Sequence, residues 1–176
     1  MAYAPTIADV RARELLDKHG VVKPPVPVED IAQAEGIQVV RSPASGTESG
    51  FLLRDNRRTI IGVNSLTSRR RQRFTIAHEL GHWQLHDGQP LIVDHTIRIN
   101  KRDSVSSAAK DWQEIQANAF AAALLMPDYL VQRAVDREQE IGIETREGLT
   151  LTLAKEFDVS TEAMGFRLIN LGVFSS

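Results

Sequence analysis

The sequence predicts an α+β fold: helix-rich, with one small, mostly antiparallel sheet and a helix that carries a His-Glu-x-x-His run. Short β-rich runs gather between residues 37 and 63, whereas helical periodicity governs residues 67–86 and 107–126. The composition agrees, since 176 residues with 42% hydrophobic and 25% charged side chains suit one domain with a buried core and at most a small appendage.

Residues 7–19 place Ile7, Val10, Leu15 and Leu16 among charges, and Gly20 follows as a stop, so an amphipathic helix is expected. Lys23-Pro24-Pro25-Val26-Pro27 cannot be helix interior and reads as a stiff connector. A short helix over 28–35 should close at Gly36. Residues 37–41, 50–54 and 59–63 read as strands, separated by a Ser-Pro-Ala-Ser-Gly-Thr stretch and by Asp55-Asn56-Arg57-Arg58. Residues 67–86 return to helical period, with Phe74, Ala77, Leu80 and Gly81 near one another, and Asp87-Gly88-Gln89-Pro90 ends the run. Residues 91–100 alternate loosely, as a strand or an extended loop. A second strong helix is expected over 107–126, broken by Pro127, with shorter helices near 128–138, 149–157 and 161–171.

Several function classes fall away on composition. The longest apolar run, 119–126, is eight residues, against roughly 18 to 20 for a membrane span. Asp9, Arg11, Arg13 and Glu14 interrupt any secretory h-region, so a cytoplasmic protein is expected. With no cysteine, disulfides, thiolate metal sites and cysteine nucleophiles are excluded, and any transition metal must be held by nitrogen and oxygen. A net charge of −2 argues against a generally polyanion-binding surface, although eight arginines between Arg41 and Arg73 form a basic flank.

The sharpest signal is His78-Glu79-Leu80-Gly81-His82. On a helix, His78 and His82 stand one turn apart on one face and can present imidazole nitrogens to one metal ion at roughly 2.1 Å. Glu79 then points to the neighbouring side, where it can take a proton from water as a general base without being a ligand. A catalytic site of this type needs a third protein ligand. His86 lies eight residues past His78, about 12 Å along a continuous helix, too far for all three imidazoles to share one ion. Glu114 on the second strong helix is the better candidate, with Asp111 its chief competitor. Asn118 shares the face of Glu114 and can fix the tautomer of a ligand imidazole.

Arg73-Phe74-Thr75-Ile76-Ala77 leading into the His78–His82 run, with Leu85-His86 after it, resembles the signature of the ImmA/IrrE metallopeptidases. So do Glu114-Ile115-Gln116-Ala117-Asn118-Ala119-Phe120-Ala121, Leu124-Leu125-Met126-Pro127, and the Gly50-Phe51 and Val63-Asn64 segments. The resemblance covers roughly residues 26–171. It implies a zincin-like, gluzincin-type domain over 26–176, preceded by an N-terminal helix and Pro-rich connector at 1–25. It also implies Glu114 as third ligand of a Zn²⁺ ion and limited, regulatory proteolysis of a protein target, commonly a helix-turn-helix repressor or antitoxin. Manganese or iron would suit the same donors.

A proteolytic site also needs a donor for the developing oxyanion, for which His86, His95 and Tyr129 are the candidates. Substrate is expected to lie extended along a sheet edge, with Thr59, Ile60, Ile61, Gly62, Val63 and Asn64 as the preferred strand. The competing readings are a DNA-binding protein and a non-catalytic regulator that keeps the zinc fold as scaffold. Residues 149–172 resemble a helix-turn-helix, yet residues 161–171 offer only Arg167 and Asn170 to phosphates and base edges, so packing is favoured over DNA reading. The run Arg69-Arg70-Arg71-Gln72-Arg73 admits phosphate, an acidic protein or plain solvation. An intact Glu79 weighs against a mere scaffold, which needs only the ligands.

Overall fold

A computed structural model describes residues 4–45, 48–55, 57–86, 91–95, 106–142 and 145–174; of Glu48, 91–95 and 106–110 it describes the backbone alone. The chain divides into two compact units, Met1–Val26 with Ala122–Ser176, and Pro27–Ala121.

The Pro27–Ala121 unit holds the sheet. After helix α2 (Val28–Ala34), Gly36 at φ +79° turns the chain into β1 (Ile37–Ser42), followed by β2 (Glu48–Arg54) and β3 (Thr59–Asn64). Asp55 builds the β2–β3 turn, its Oδ1 accepting from the backbone N–H of Arg57 at 2.7 Å and of Arg58 at 2.9 Å. Strand β4 (Leu91–His95) completes the order β1-β3-β2-β4, with β1 parallel to β3 and the other two pairings antiparallel. The sheet is thus mostly antiparallel, as expected, and residues 91–95 of the ambiguous segment are strand.

One expectation fails here. Thr59–Asn64 is an interior strand, its backbone paired with β1 on one side and β2 on the other, so no ladder groups are left for an extended substrate. Its run Thr59-Ile60-Ile61-Gly62-Val63 is that of a strand between two neighbours, and Ile61 and Val63 are buried. The described sheet edges are β1 and β4.

Helix α3 (Arg69–Leu85) starts where the Ser68 hydroxyl accepts from the backbone N–H of Arg71 at 3.3 Å. Its eight central residues, 75–82, are all buried, so this helix has no solvent face through its middle. Against the sheet it meets β2 at Gly50, where an added Cβ would lie 2.3 Å from Thr75 Cγ2. On another side Gly81 meets α4 (Ser106–Leu125): a Cβ there would stand 3.0 Å from Ala117 Cα and 3.2 Å from Phe120 Cβ. Small residues at this crossing bring the two helix backbones close enough for their side chains to share a site. The Arg54 guanidinium closes the far end of α3, donating to the carbonyl oxygens of His82 at 2.6 Å and His86 at 2.5 Å.

The other unit carries α1 (Ile7–Lys18), α5 (Asp128–Ile141), α6 (Arg146–Glu156) and α7 (Thr161–Asn170). Thr6 and Asp9 cap α1 reciprocally, Thr6 N–H donating to Asp9 Oδ2 at 2.9 Å and Asp9 N–H to Thr6 Oγ1 at 3.3 Å. Helices α6 and α7 form the expected pair joined by a short turn. Arg167 on α7 is buried, donating to the Met126 carbonyl at 3.0 Å and to Asp9 Oδ1 at 3.3 Å, so it serves the interior of this unit. Among the described residues no helix is long and apolar enough to cross a membrane.

Candidate metal centre

The i,i+4 spacing on α3 does what helix geometry requires. His78 and His82 turn their rings to one side, and their Nε2 atoms come within 3.1 Å of each other. From α4, Glu114 reaches both: Oε2 stands 3.2 Å from His78 Nε2 and Oε1 3.3 Å from His82 Nε2. One donor atom from each of the three residues falls within 4.8 Å of the other two, among the described residues the single group of this kind. Asp111, exposed on the same helix, is outside the cluster. Both histidines are buried, while the Glu114 side chain keeps 31% of its surface, so the cluster opens toward solvent on its carboxylate side.

The donor chemistry fits a cation. His78 Nδ1 lies 3.0 Å from the Asn118 side-chain oxygen, which can only accept, so this contact favours a ring proton on Nδ1 and, with an ion present, would free Nε2 as a ligand. His78 Nε2 faces a second imidazole nitrogen and a carboxylate. Tetrahedral bonds of roughly 2.1 Å would set two ligand atoms about 3.4 Å apart, close to the separations found here. Burial works to raise the pKa of Glu114, but hydrogen bonds and charge from His78 and His82 outweigh it and hold the carboxyl well below the usual carboxylate range. Glu114 is therefore an anion at neutral pH. It brings negative charge to the cluster.

Glu79 is fully buried on the sheet side of α3. A Cβ on Gly50 would come within 3.5 Å of Glu79 Oε1, so the carboxylate rests against the β2 backbone where no side chain intervenes.

Of the remaining candidates, His86 caps α3 on the far side of His82 from the cluster. Its Nδ1 is 3.1 Å from His82 Nδ1 and its Nε2 3.0 Å from Gln116 Oε1. Burial pushes its pKa below the ordinary imidazole range, against the Gln116 hydrogen bond, so His86 is neutral at neutral pH. Tyr129 belongs to the other unit, where its hydroxyl donates to the Val21 carbonyl at 3.1 Å and its ring lies 3.9 Å under the Arg13 guanidinium carbon. His95 ends β4, and its side chain lies outside the described residues. Sequence reasoning missed Gln116, Arg54 and Gly50. Gly50 and Gln116 stood inside segments that resemble the family, but nothing local in the sequence gave either a role.

Known proteins resemble this chain in sequence and fold. A peptidase-family model described as IrrE N-terminal-like domain matches residues 32–169. An uncharacterized immunity region protein 2 of Bacillus phage phi105 is 32% identical over 114 residues, 63% of this chain and 66% of that protein. Metallopeptidase ImmA of Bacillus subtilis is 27% identical over 151 residues, 85% of this chain and 79% of that one. Among solved structures, a Mycobacterium tuberculosis transcriptional regulator shares the fold with a TM-score of 0.62 at 18% identity, over 92% of this chain and 46% of that one. The chain therefore spans just under two thirds of the phage relative and less than half of the regulator. Because the matched region takes in both histidines, Glu79 and Glu114, and most of the chain besides, this protein belongs to the IrrE N-terminal-like family of peptidases.

Proposed function

We propose that the chain is a zinc-dependent endopeptidase that makes limited, regulatory cuts in a protein target, a helix-turn-helix repressor or antitoxin. The observation that carries this reading is the convergence of His78, His82 and Glu114 beside a buried glutamate that is not one of the three. His78, His82 and Glu114 are the residues that would hold the ion. Zn²⁺ suits two imidazoles and a carboxylate in three of four tetrahedral positions. Such an ion would supply Lewis acidity, lowering the pKa of water toward neutrality.

The chain's own part is proton handling and orientation. Glu79 takes the proton of the attacking water and returns it to the departing amine nitrogen, so that one buried carboxylate acts first as base and then as acid. Asn118 holds the His78 ring in the tautomer that leaves its Nε2 lone pair inward. Strand β4 is the sheet edge for substrate, because it pairs with β2, whose Gly50 touches Glu79, and a peptide can add there by main-chain hydrogen bonds. Similarity to a phage immunity-region protein supports a regulatory target over general digestion.

The test is incubation of Zn²⁺-loaded protein with a helix-turn-helix regulator encoded by a neighbouring reading frame. One defined cut, absent in the Glu79→Gln variant although that variant retains metal, is the expected result. Equal cleavage by Glu79→Gln would remove the role given to Glu79.

A further inference from the structure

The second ring of hydrogen bonds around the cluster reaches further on the His82 side than on the His78 side. His78 is instructed directly by Asn118. His82 is instructed through an intermediary, since its Nδ1 meets Nδ1 of His86 at 3.1 Å, and His86 passes on to Gln116 Oε1 at 3.0 Å. Two imidazole nitrogens at that distance need one proton between them, so one ring must donate and the other accept. Glu114 draws the His82 proton toward Nε2 at the inner end, and Gln116, through His86, can draw it toward Nδ1 at the outer end.

We propose that Gln116 is a positioning residue for the metal centre, setting the tautomer of His82 through His86. With the amide oxygen inward, Gln116 accepts from His86 Nε2–H. His86 then offers a lone pair at Nδ1, accepts from His82 Nδ1–H, and leaves His82 Nε2 bare toward His78 and Glu114. With the amide turned over, its N–H₂ donates to His86 Nε2 and every bond reverses. The His82 proton moves to Nε2, where it bonds to Glu114 Oε1 and blocks an ion from that ligand. No net proton enters or leaves in either arrangement; the two states differ only in which nitrogen of each ring is protonated. Gln116 is only partly buried on α4, so its replacement changes the signal without removing a core side chain.

This inference rests on reading the cluster as a metal site, and two measurements on the full chain keep the two claims apart. The first is Zn²⁺ affinity by chelator competition for the wild type and for Gln116→Leu, Gln116→Glu and Gln116→Lys. The second is the ¹⁵N spectrum of histidine-labelled, metal-free protein, which distinguishes Nδ1–H from Nε2–H tautomers. Loss of an outer-shell partner typically weakens metal binding about 10- to 100-fold, and that loss is expected for Gln116→Leu, which adds no charge. Gln116→Glu, which can only accept, should keep wild-type affinity and a His82 Nδ1–H signal. Gln116→Lys, which can only donate, should bind most weakly and show His82 Nε2–H. Wild-type affinity in both the Leu and Lys variants, or an unchanged His82 tautomer across the series, overturns the proposal. A wild type that binds no Zn²⁺ but shows the tautomer series as expected would instead strike the metal-site reading alone.

Discussion

His78, His82 and Glu114 share a focus because two weak constraints coincide: a four-residue spacing on α3, and a close crossing that puts Glu114 of α4 one turn before Ala117. Charge placement elsewhere in the same unit makes a separate residue-level prediction. Arg41 holds Glu29 through two hydrogen bonds, and this partnership, stronger than the opposing burial, lowers the Glu29 pKa from its ordinary 4.5. A carboxyl whose folded pKa is depressed adds stability above its unfolded value and loses it as pH falls through the folded one. The Glu29 side chain keeps 34% of its surface, so the pair is worth under about 1 kcal/mol. Urea melts should therefore show Glu29→Gln less stable than wild type at pH 7 and indistinguishable from it near pH 2; an equal gap at both values would refute the assignment. The His-Glu-x-x-His residues were legible because their spacing is a local property of one helix. Gln116 was not, because its partner His86 is 30 positions away in sequence and only the fold joins them.

Between elements, the decisive contact is Gly81 against Ala117. A methyl group at Gly81 would need Ala117 or Phe120 to yield by a few tenths of an ångström, shifting α4 relative to α3. Helix propensity favours alanine over glycine by about 1 kcal/mol, whereas overpacking costs about 1–3 kcal/mol, so stability should change little or fall modestly. Metal binding has no such compensation. Gly81→Ala is expected to weaken metal affinity more than it lowers the melting temperature would suggest, measured by chelator competition beside a thermal melt; unchanged affinity would show that the crossing has slack. The helices, and the strand content of residues 37–63, were readable from periodicity and turn residues. The order of the strands was not. Nothing local in Thr59–Asn64 says that β1 returns beside it in parallel, and that pairing alone removes it from the edge.

At the scale of the whole chain, the site lies within Pro27–Ala121, while the helix-turn-helix-like pair belongs to the other unit. Arg167 is the one basic side chain of α7, and it is spent inside, on Met126 and Asp9. Arg167→Ala should cost about 2 kcal/mol through the charged hydrogen bonds it breaks, lowering the melting temperature while one metal ion per chain is retained. A variant as stable as wild type would mean that Arg167 is not the tie it appears in the hydrogen-bond pattern. The bearing of family membership on chemistry comes down to whether the three inward donors hold an ion. The direct measurement is elemental analysis of purified protein, wild type against His78→Ala and Glu114→Ala, each loaded with Zn²⁺ and freed of excess. One ion per wild-type chain and a clear loss in both variants is the predicted result; no ion in the wild type, or equal metal in all three, would contradict it.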